Sequence, residues 1–429
     1  MRALYTLLWY LAAPFLPLRL WWRARREPGY RKYVGERFGR YANPVRPPLI
    51  WVHAVSLGET RAAAPLVARL QQTYPQATLL VTHMTATGRA AGEALFGKRI
   101  VQAWLPYDLP FAVRSFLAHF KPRIGLIMET ELWPNLIALA RDASVPIFVV
   151  NARMSEKSAA RYRLVSGLTR SMLSMLTGIA AQTKEDAGRL QALGARPPMV
   201  MGNLKFDVDV PAQALVLGTT LRARFSGGGE RPVFLAASTR DGEEALILDA
   251  LARQPLPPEV LTVIVPRHPQ RFDSVAELLR ARGVRFVRRS SVEPVSADVR
   301  LVLGDSLGEM LSYYAAADIA FVGGSLLPLG GQNLIEAIAL GTPVLVGPHT
   351  FNFTEATAGA IARGAAIRVS DADSLVAKVR SLVADPLRRE AMHGAGLAFH
   401  ASHRGATDRL WHWLAPELEG QVASLRDRD

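Results

Sequence analysis

The chain has 429 residues, 49 % of them apolar and none of them cysteine. That length exceeds what one hydrophobic core holds, and the missing thiols exclude disulfides, cysteine nucleophiles and cysteine-ligated metal. A formal net charge of +14 predicts a negatively charged partner: nucleic acid, an acidic membrane surface or a phosphorylated substrate.

The first segment, Ala3 to Trp22, is nearly all apolar, interrupted by Pro14, Pro17 and Arg19, and Arg23, Arg25 and Arg26 follow it. About 20 apolar residues suffice to cross a bilayer, and the basic flank predicts that the rest of the chain stays cytoplasmic. Residues 1–27 are therefore expected to be a membrane anchor. The two prolines leave spanning and in-plane anchoring both open. The basic, aromatic run "YRKYVGERFGRYANP" reads as a juxtamembrane surface segment.

From residue 49 a strand–helix alternation begins. Apolar runs at 49–55, 78–82, 101–105, 124–128, 146–150 and 178–181 are separated by helical patterns such as "FAVRSFLAHF". Continuous rather than alternating apolar strands mean that both faces are covered, which predicts a parallel, doubly wound sheet. The pattern breaks near 205–230, where Gly227, Gly228 and Gly229 mark a linker end. A second series of strands is expected at 233–237, 261–265, 284–287, 300–303, 319–322 and 343–346, followed by helices to about 425. The expected division is 28–210 and 231–400 as two α/β Rossmann-like domains, 211–230 as linker and 401–429 as C-terminal helices returning to the first domain. Two such domains are expected to face a central cleft, with ligands at the carboxyl ends of the strands.

Several strand ends carry chemistry. In "IWVHAVSLGET" an acid, Glu59, stands where a strand turns into a helix. It serves there as a dipole-stabilising first-turn residue or as a base aimed at a hydroxyl. A helix N-terminus is expected to lower its pKa and keep it ionised. Glu129 and Glu131 lie in "LIMETELWPN", Lys205 in "MGNLKFD", and Arg153 and Lys157 in "NARMSEKS". Cations at such ends neutralise an anionic substrate or developing charge. In the second half, "FVGGSLLPLGGQNLIEA" pairs Gly323-Gly324 and Gly330-Gly331 before a helix near Asn333. Paired glycines let backbone N–H groups meet an anion, and Glu336 is placed to accept ribose hydroxyls. In "GDSLGEM", Gly308, Glu309 and Met310 follow a strand and would bring backbone N–H groups to the same cleft; the plainer alternative is that Asp305 or Ser306 caps the helix that follows, and both can hold together. Arg267, after Pro266, suits a phosphate. No HExxH and no P-loop occurs, and His53, His83, His119 and His349 lack metal-ligand spacing.

Together "HAVSLGE", "THMTATGR", "ETELWPN", "NARMSEKS", "GNLKFD", "PRHPQRF", "GDSLGEM", "FVGGSL…GGQNLIEA" and "GPHTFNF" resemble the lipid A Kdo (3-deoxy-D-manno-octulosonic acid) transferases, from the N-terminal anchor to about residue 400. The resemblance implies a GT-B glycosyltransferase fold, CMP-Kdo as donor and lipid IVA as acceptor. It also implies work without a metal or other cofactor, at the cytoplasmic side of the inner membrane and with no nucleic acid partner. It implies Glu59 as the general base of an inverting transfer, with Glu129 and Lys205 as transition-state stabilisers. Pro266, Arg267, Gly308, Glu309, Met310, Asn333, Leu334, Ile335 and Glu336 match its CMP-binding segments. Two other readings remain: a GT-B enzyme with a UDP-sugar donor, and a non-catalytic binder of acidic glycolipid.

Overall fold

Alternate residues of each central strand face opposite layers of apolar side chains, and this sets the architecture. The computed structural model describes residues 1–42, 45–208, 210–226 and 231–422. The chain divides into two compact units, Met1–Asp207 with Arg404–Asp429, and Val208–His403.

The first unit is built on seven parallel strands: β1 Leu49–His53, β2 Thr78–His83, β3 Val101–Trp104, β4 Ile124–Met128, β5 Ile147–Ala152, β6 Gly178–Ala181 and β7 Met199–Val200. Their order is β3-β2-β1-β4-β5-β6-β7, so the direction of strand addition reverses between β1 and β4. Leu49 and Trp51 enter one layer with Phe116 and Phe120. Ile50 and Val52 enter the other with Leu66, Leu410, Leu414 and Leu418. The last three belong to helix Ala406–Val422, which closes that face. Asp207 holds the start of this helix by accepting the N–H groups of Gly405 (2.7 Å) and Thr407 (2.5 Å). Gly125 is required on β4, because a Cβ there would lie 2.7 Å from the Trp51 ring.

The second unit repeats the plan with β8 Val233–Thr239, β9 Leu261–Pro266, β10 Phe286–Arg288, β11 Leu301–Leu303, β12 Ile319–Val322, β13 Val344–Val346 and β14 Ala366–Arg368. Their order is β10-β11-β9-β8-β12-β13-β14, with the reversal between β8 and β12.

Three local readings differ from the sequence expectation. Residues 212–226, placed in a linker, form helix Ala212–Ser226, with Gly218, Leu221 and Phe225 buried. Gly218 lets it approach Ala315 closely, and Arg222 pairs with Asp318 at 2.5 Å. The triple glycine Gly227, Gly228 and Gly229 lies outside the described residues. The segment after the anchor is not a surface strip. Tyr30, Glu36 and Arg37 are buried, and the Glu36 carboxylate accepts from Arg89 (2.7 Å) and from the Trp104 N–H (2.8 Å). β7 and β14, two and three residues long, were not expected.

The N-terminal segment is two helices, Arg2–Ala12 and Leu16–Arg26, joined by a turn at Ala13–Phe15. Arg2–Arg25 is the one described stretch long and apolar enough to cross a membrane by length and composition. One side docks on the first unit: Leu16, Leu20 and Ala24 join Tyr30, Tyr107 and Leu109. Thr6 also donates to Asn135 at 2.9 Å. The other side leaves Leu4, Leu8, Leu11, Phe15, Leu18 and Trp22 exposed.

Candidate active site

In open α/β sheets the point where strand order reverses leaves a crevice at the carboxyl ends. In the first unit this point lies between the ends of β1 and β4, and it gathers the acids. Beyond β1, Ser56 caps helix Leu57–Thr73, its Oγ accepting the Glu59 N–H. Glu59 returns the contact: Oε1 accepts the Ser56 hydroxyl at 2.9 Å and Oε2 accepts the Val55 N–H at 2.9 Å. The side chain is only 7 % exposed. Burial, then the charge of Glu129, push its pKa up to about 8, against the opposing pull of the Val55 and Ser56 donors. The sequence expectation of a lowered pKa is therefore reversed. A helix end and two donors favour the carboxylate, but desolvation and a neighbouring acid outweigh them.

Glu129 follows β4 with φ 56, a left-handed conformation unusual for a residue with a side chain and characteristic of functional sites. Its Oε1 accepts from Lys205 Nζ at 2.8 Å, and both side chains are about four-fifths buried. Lys205 sits in the short turn Leu204–Phe206, pinned twice. Asn203 Oδ1 accepts the Lys205 N–H and Asn151 Oδ1 accepts the Leu204 N–H, each at 3.0 Å. Asn151, buried and itself left-handed at φ 53, thus ties the end of β5 to the lysine turn. Glu131 accepts from the Trp133 indole at 3.1 Å, and burial raises its pKa. Arg153 accepts the Thr130 hydroxyl through its backbone oxygen, and Lys157 is exposed on helix Glu156–Leu164. His53 and His83 are core residues: burial lowers their pKa to about 3 and about 4. Among the described residues no group of three His, Cys, Asp or Glu is placed to hold a metal ion.

The second unit gathers a different set at the ends of β8, β9 and β12. Pro266 ends β9, and the Arg267 N–H donates to Thr239 O while its Nε donates to Gln332 at 3.1 Å. Asn333 donates to Glu336 Oε1 and accepts the Ile335 N–H, each at 3.0 Å. Leu334 caps helix Ile335–Ala339, placing Glu336 in its first turn. The charges of Glu336 and Arg267 both act on the buried Tyr314 hydroxyl, whose pKa is raised chiefly by burial. His268 is held below its ordinary pKa by burial, then by Arg240, Arg267 and Arg271, which marks a cationic cluster at this edge.

Two expectations for this unit change. The donors of the Gly323-Gly324 turn are already used: buried Glu243 accepts the N–H groups of Gly324 (2.6 Å), Ser325 and Leu326 (3.0 Å each). Gly331 donates to Gly324 O at 2.7 Å. These glycines thus shape the turn rather than offer it to an anion. Neither Asp305 nor Ser306 caps the helix after β11. Its cap position is Glu309, which has no side-chain cap bond. Asp305 instead accepts the Ser290 N–H at 2.8 Å, and Ser306 donates to Glu309 at 2.6 Å. Gly308 is left-handed at φ 79, Glu309 pairs with Arg289 at 3.2 Å, and Met310 opens the helix.

A family model described as 3-deoxy-D-manno-octulosonic-acid transferase (kdotransferase) matches residues 32–208, and one described as glycosyl transferases group 1 matches 285–397. A 3-deoxy-D-manno-octulosonic acid transferase from Bordetella pertussis is 48 % identical over 96 % of this chain and 99 % of its own length. The chain belongs to this Kdo transferase family. A second relative of the same name, from Haemophilus influenzae, is 38 % identical over 98 % of this chain and its whole length. Among solved structures, a glycosyltransferase from Rickettsia africae superposes with TM-score 0.55 at 14 % identity, covering 88 % of this chain and 99 % of that one. UDP-GlcNAc 2-epimerase from Neisseria meningitidis does so with TM-score 0.56 at 17 % identity, covering 86 % and 100 %. This Kdo transferase therefore has the two-domain α/β GT-B fold, and because an epimerase shares it, the chemistry must be argued from the site.

Residues of this Kdo transferase that sequence reasoning passed over are now visible. Asn151 and Glu243 each hold a turn from within the fold, the Leu204–Phe206 turn and the Gly324–Leu326 turn. Arg240 joins the cationic edge of the second unit. The available signal was position: each stands at or just beyond a strand's carboxyl end.

Proposed function

We propose that this transferase moves Kdo from CMP-Kdo to lipid IVA in lipopolysaccharide biosynthesis, with inversion and with Glu59 as general base. The acceptor hydroxyl oxygen attacks the anomeric carbon of Kdo. Its proton passes to Glu59, the bond from that carbon to the phosphate oxygen breaks, and CMP leaves with the electron pair. The observation that carries this reading is the placement of Glu59, buried at the strand-order reversal of the first sheet, across from the Glu129–Lys205 pair beyond β4. A carboxylate pushed up to about 8 is a far stronger base than an ordinary one, near the working pH where base catalysis is most effective.

Lys205, fixed beside Glu129, brings positive charge toward the donor's carboxylate and phosphodiester, so charge is offset without a metal ion. Glu129 keeps the base strong and favours oxocarbenium character at the reacting carbon. On the second unit, Arg267 and the turns Gly308–Met310 and Asn333–Glu336 bind CMP, with Glu336 accepting ribose hydroxyls. The exposed apolar side of Arg2–Arg25 associates with the cytoplasmic side of the inner membrane, where the acceptor resides. The donor base is tested by thermal shift: CMP is expected to stabilise the protein and UDP to do so less. Equal or greater stabilisation by UDP contradicts the donor assignment.

A further inference from the structure

Two left-handed residues stand side by side at the carboxyl end of the first sheet. The β4–β5 register pairs Met128 with Val150, so the next residues, Glu129 (φ 56) and Asn151 (φ 53), are lateral neighbours. The Glu129 N–H donates to Val150 O at 2.9 Å. On the other side of β5, the pairing with β6 shifts register between Val149 and Ala152, and the Gln182 side chain donates to Asn151 O at 2.9 Å. Asn151 thus sits in a kink held from both neighbouring strands, an irregularity of the kind that re-aims side chains beside active sites.

Asparagine tolerates the left-handed region, but glycine adopts it at less cost. The backbone alone would therefore be served by glycine. The carboxamide that stands there is buried, and its Nδ2 has no hydrogen-bond partner, which costs stability. What the side chain contributes is one acceptor: Oδ1 takes the Leu204 N–H at 3.0 Å. Leu204 precedes Lys205, whose N–H is held by Asn203 Oδ1 and whose Nζ donates to Glu129 Oε1 at 2.8 Å. The contacts close a ring, from Glu129 across Val150 and Asn151 to the lysine turn and back to the Glu129 carboxylate. Asn151 is the link in it between sheet and turn.

We infer that Asn151 is a positioning residue for the transfer: its Oδ1 holds the Leu204–Phe206 turn so that the Lys205 ammonium stays against Glu129. It acts through Lys205 rather than on substrate. The inference rests on the transferase reading and adds to it the residue that sets the cation's place.

Asn151→Gly keeps the left-handed backbone and removes the acceptor. In the full chain with CMP-Kdo and lipid IVA, its kcat should fall roughly 10- to 100-fold, the scale of a group displaced by about 1 Å, while the KM for CMP-Kdo stays at the wild-type value. Asn151→Asp retains an acceptor oxygen, tolerates the same backbone and drops the unpaired donor, so it should recover most of the rate. A merely structural asparagine would lower activity by the same factor whatever stands at 205. A positioning one does not: in the Lys205→Ala background, Asn151→Gly should cost about twofold at most. Hydrogen exchange at Leu204 should quicken in Asn151→Gly and not in Asn151→Asp, which reads the contact without turnover. Equal losses from Asn151→Gly in both backgrounds overturn the inference. If Asn151→Gly does not fold, Asn151→Asp decides: wild-type protection at Leu204 with most of the rate supports the inference, and loss of either overturns it. Wild-type protein that transfers no Kdo overturns the transferase reading and this inference with it, whereas active wild type beside an unimpaired Asn151→Gly overturns this inference alone.

Discussion

Replacing Glu59 by Gln should make the first unit more resistant to unfolding at alkaline pH. The Glu59 pKa is about 8 in the fold against an ordinary 4.5. A group whose pKa is raised by folding stabilises the fold below its unfolded pKa, and that contribution is lost as pH rises through the folded value. The full shift corresponds to roughly 5 kcal/mol, of which about 4 kcal/mol falls between about pH 5 and about pH 9. Glutamine does not ionise, so the variant escapes this loss. It sacrifices an acceptor for the Val55 or Ser56 donor, at about 1–2 kcal/mol, independent of pH. The variant should therefore be slightly less stable than wild type in acid and more stable in alkali. All eight tryptophans lie in the first unit, so urea unfolding followed by their fluorescence reports this unit alone. A stability difference that stays flat with pH, or falls as pH rises, refutes the assigned burial and charge coupling.

Glu129→Gln removes the acid that raises the Glu59 pKa after burial itself, so the acidic limb of kcat/KM against pH should move to lower pH. An unmoved limb separates Glu129 from the base. Glu243→Gln should weaken the second unit by roughly 2–5 kcal/mol, because two or more buried N–H groups lose their acceptor. Hydrogen exchange at Gly324–Leu326 reads this directly, and unchanged protection contradicts it. Arg267→Ala should weaken CMP binding while leaving acceptor binding intact, as isothermal titration with each ligand would show.

Much of the fold was legible because the central strands are buried on both faces. Runs such as Leu49–His53 and Ile124–Met128 carry no polar alternation, and a parallel sheet follows. β7 and β14 were missed although β11 and β13, no longer than β14, were read: β7 is two exposed residues and β14 ends on an arginine, so neither shows the fully buried apolar run of those strands. Ala212–Ser226 was missed because its packing depends on Gly218, a residue that reads as a helix breaker until Ala315 is seen against it. Glu59 and Glu129, read in the sequence at strand ends, stand on either side of the strand-order reversal. Their electrostatics were not legible, because desolvation and the proximity of the two acids arise only in the fold. Arg37 shows the same limit. Within a basic, aromatic run it reads as surface, yet the structure buries it against Trp104.

The most direct test of the account is mass spectrometry of lipid IVA incubated with CMP-Kdo and either wild-type protein or Glu59→Gln. Wild type should yield Kdo-modified lipid with release of CMP, and the variant none, although CMP still stabilises it. Kdo transfer by Glu59→Gln at near wild-type rate, or no Kdo product with wild type, would contradict it.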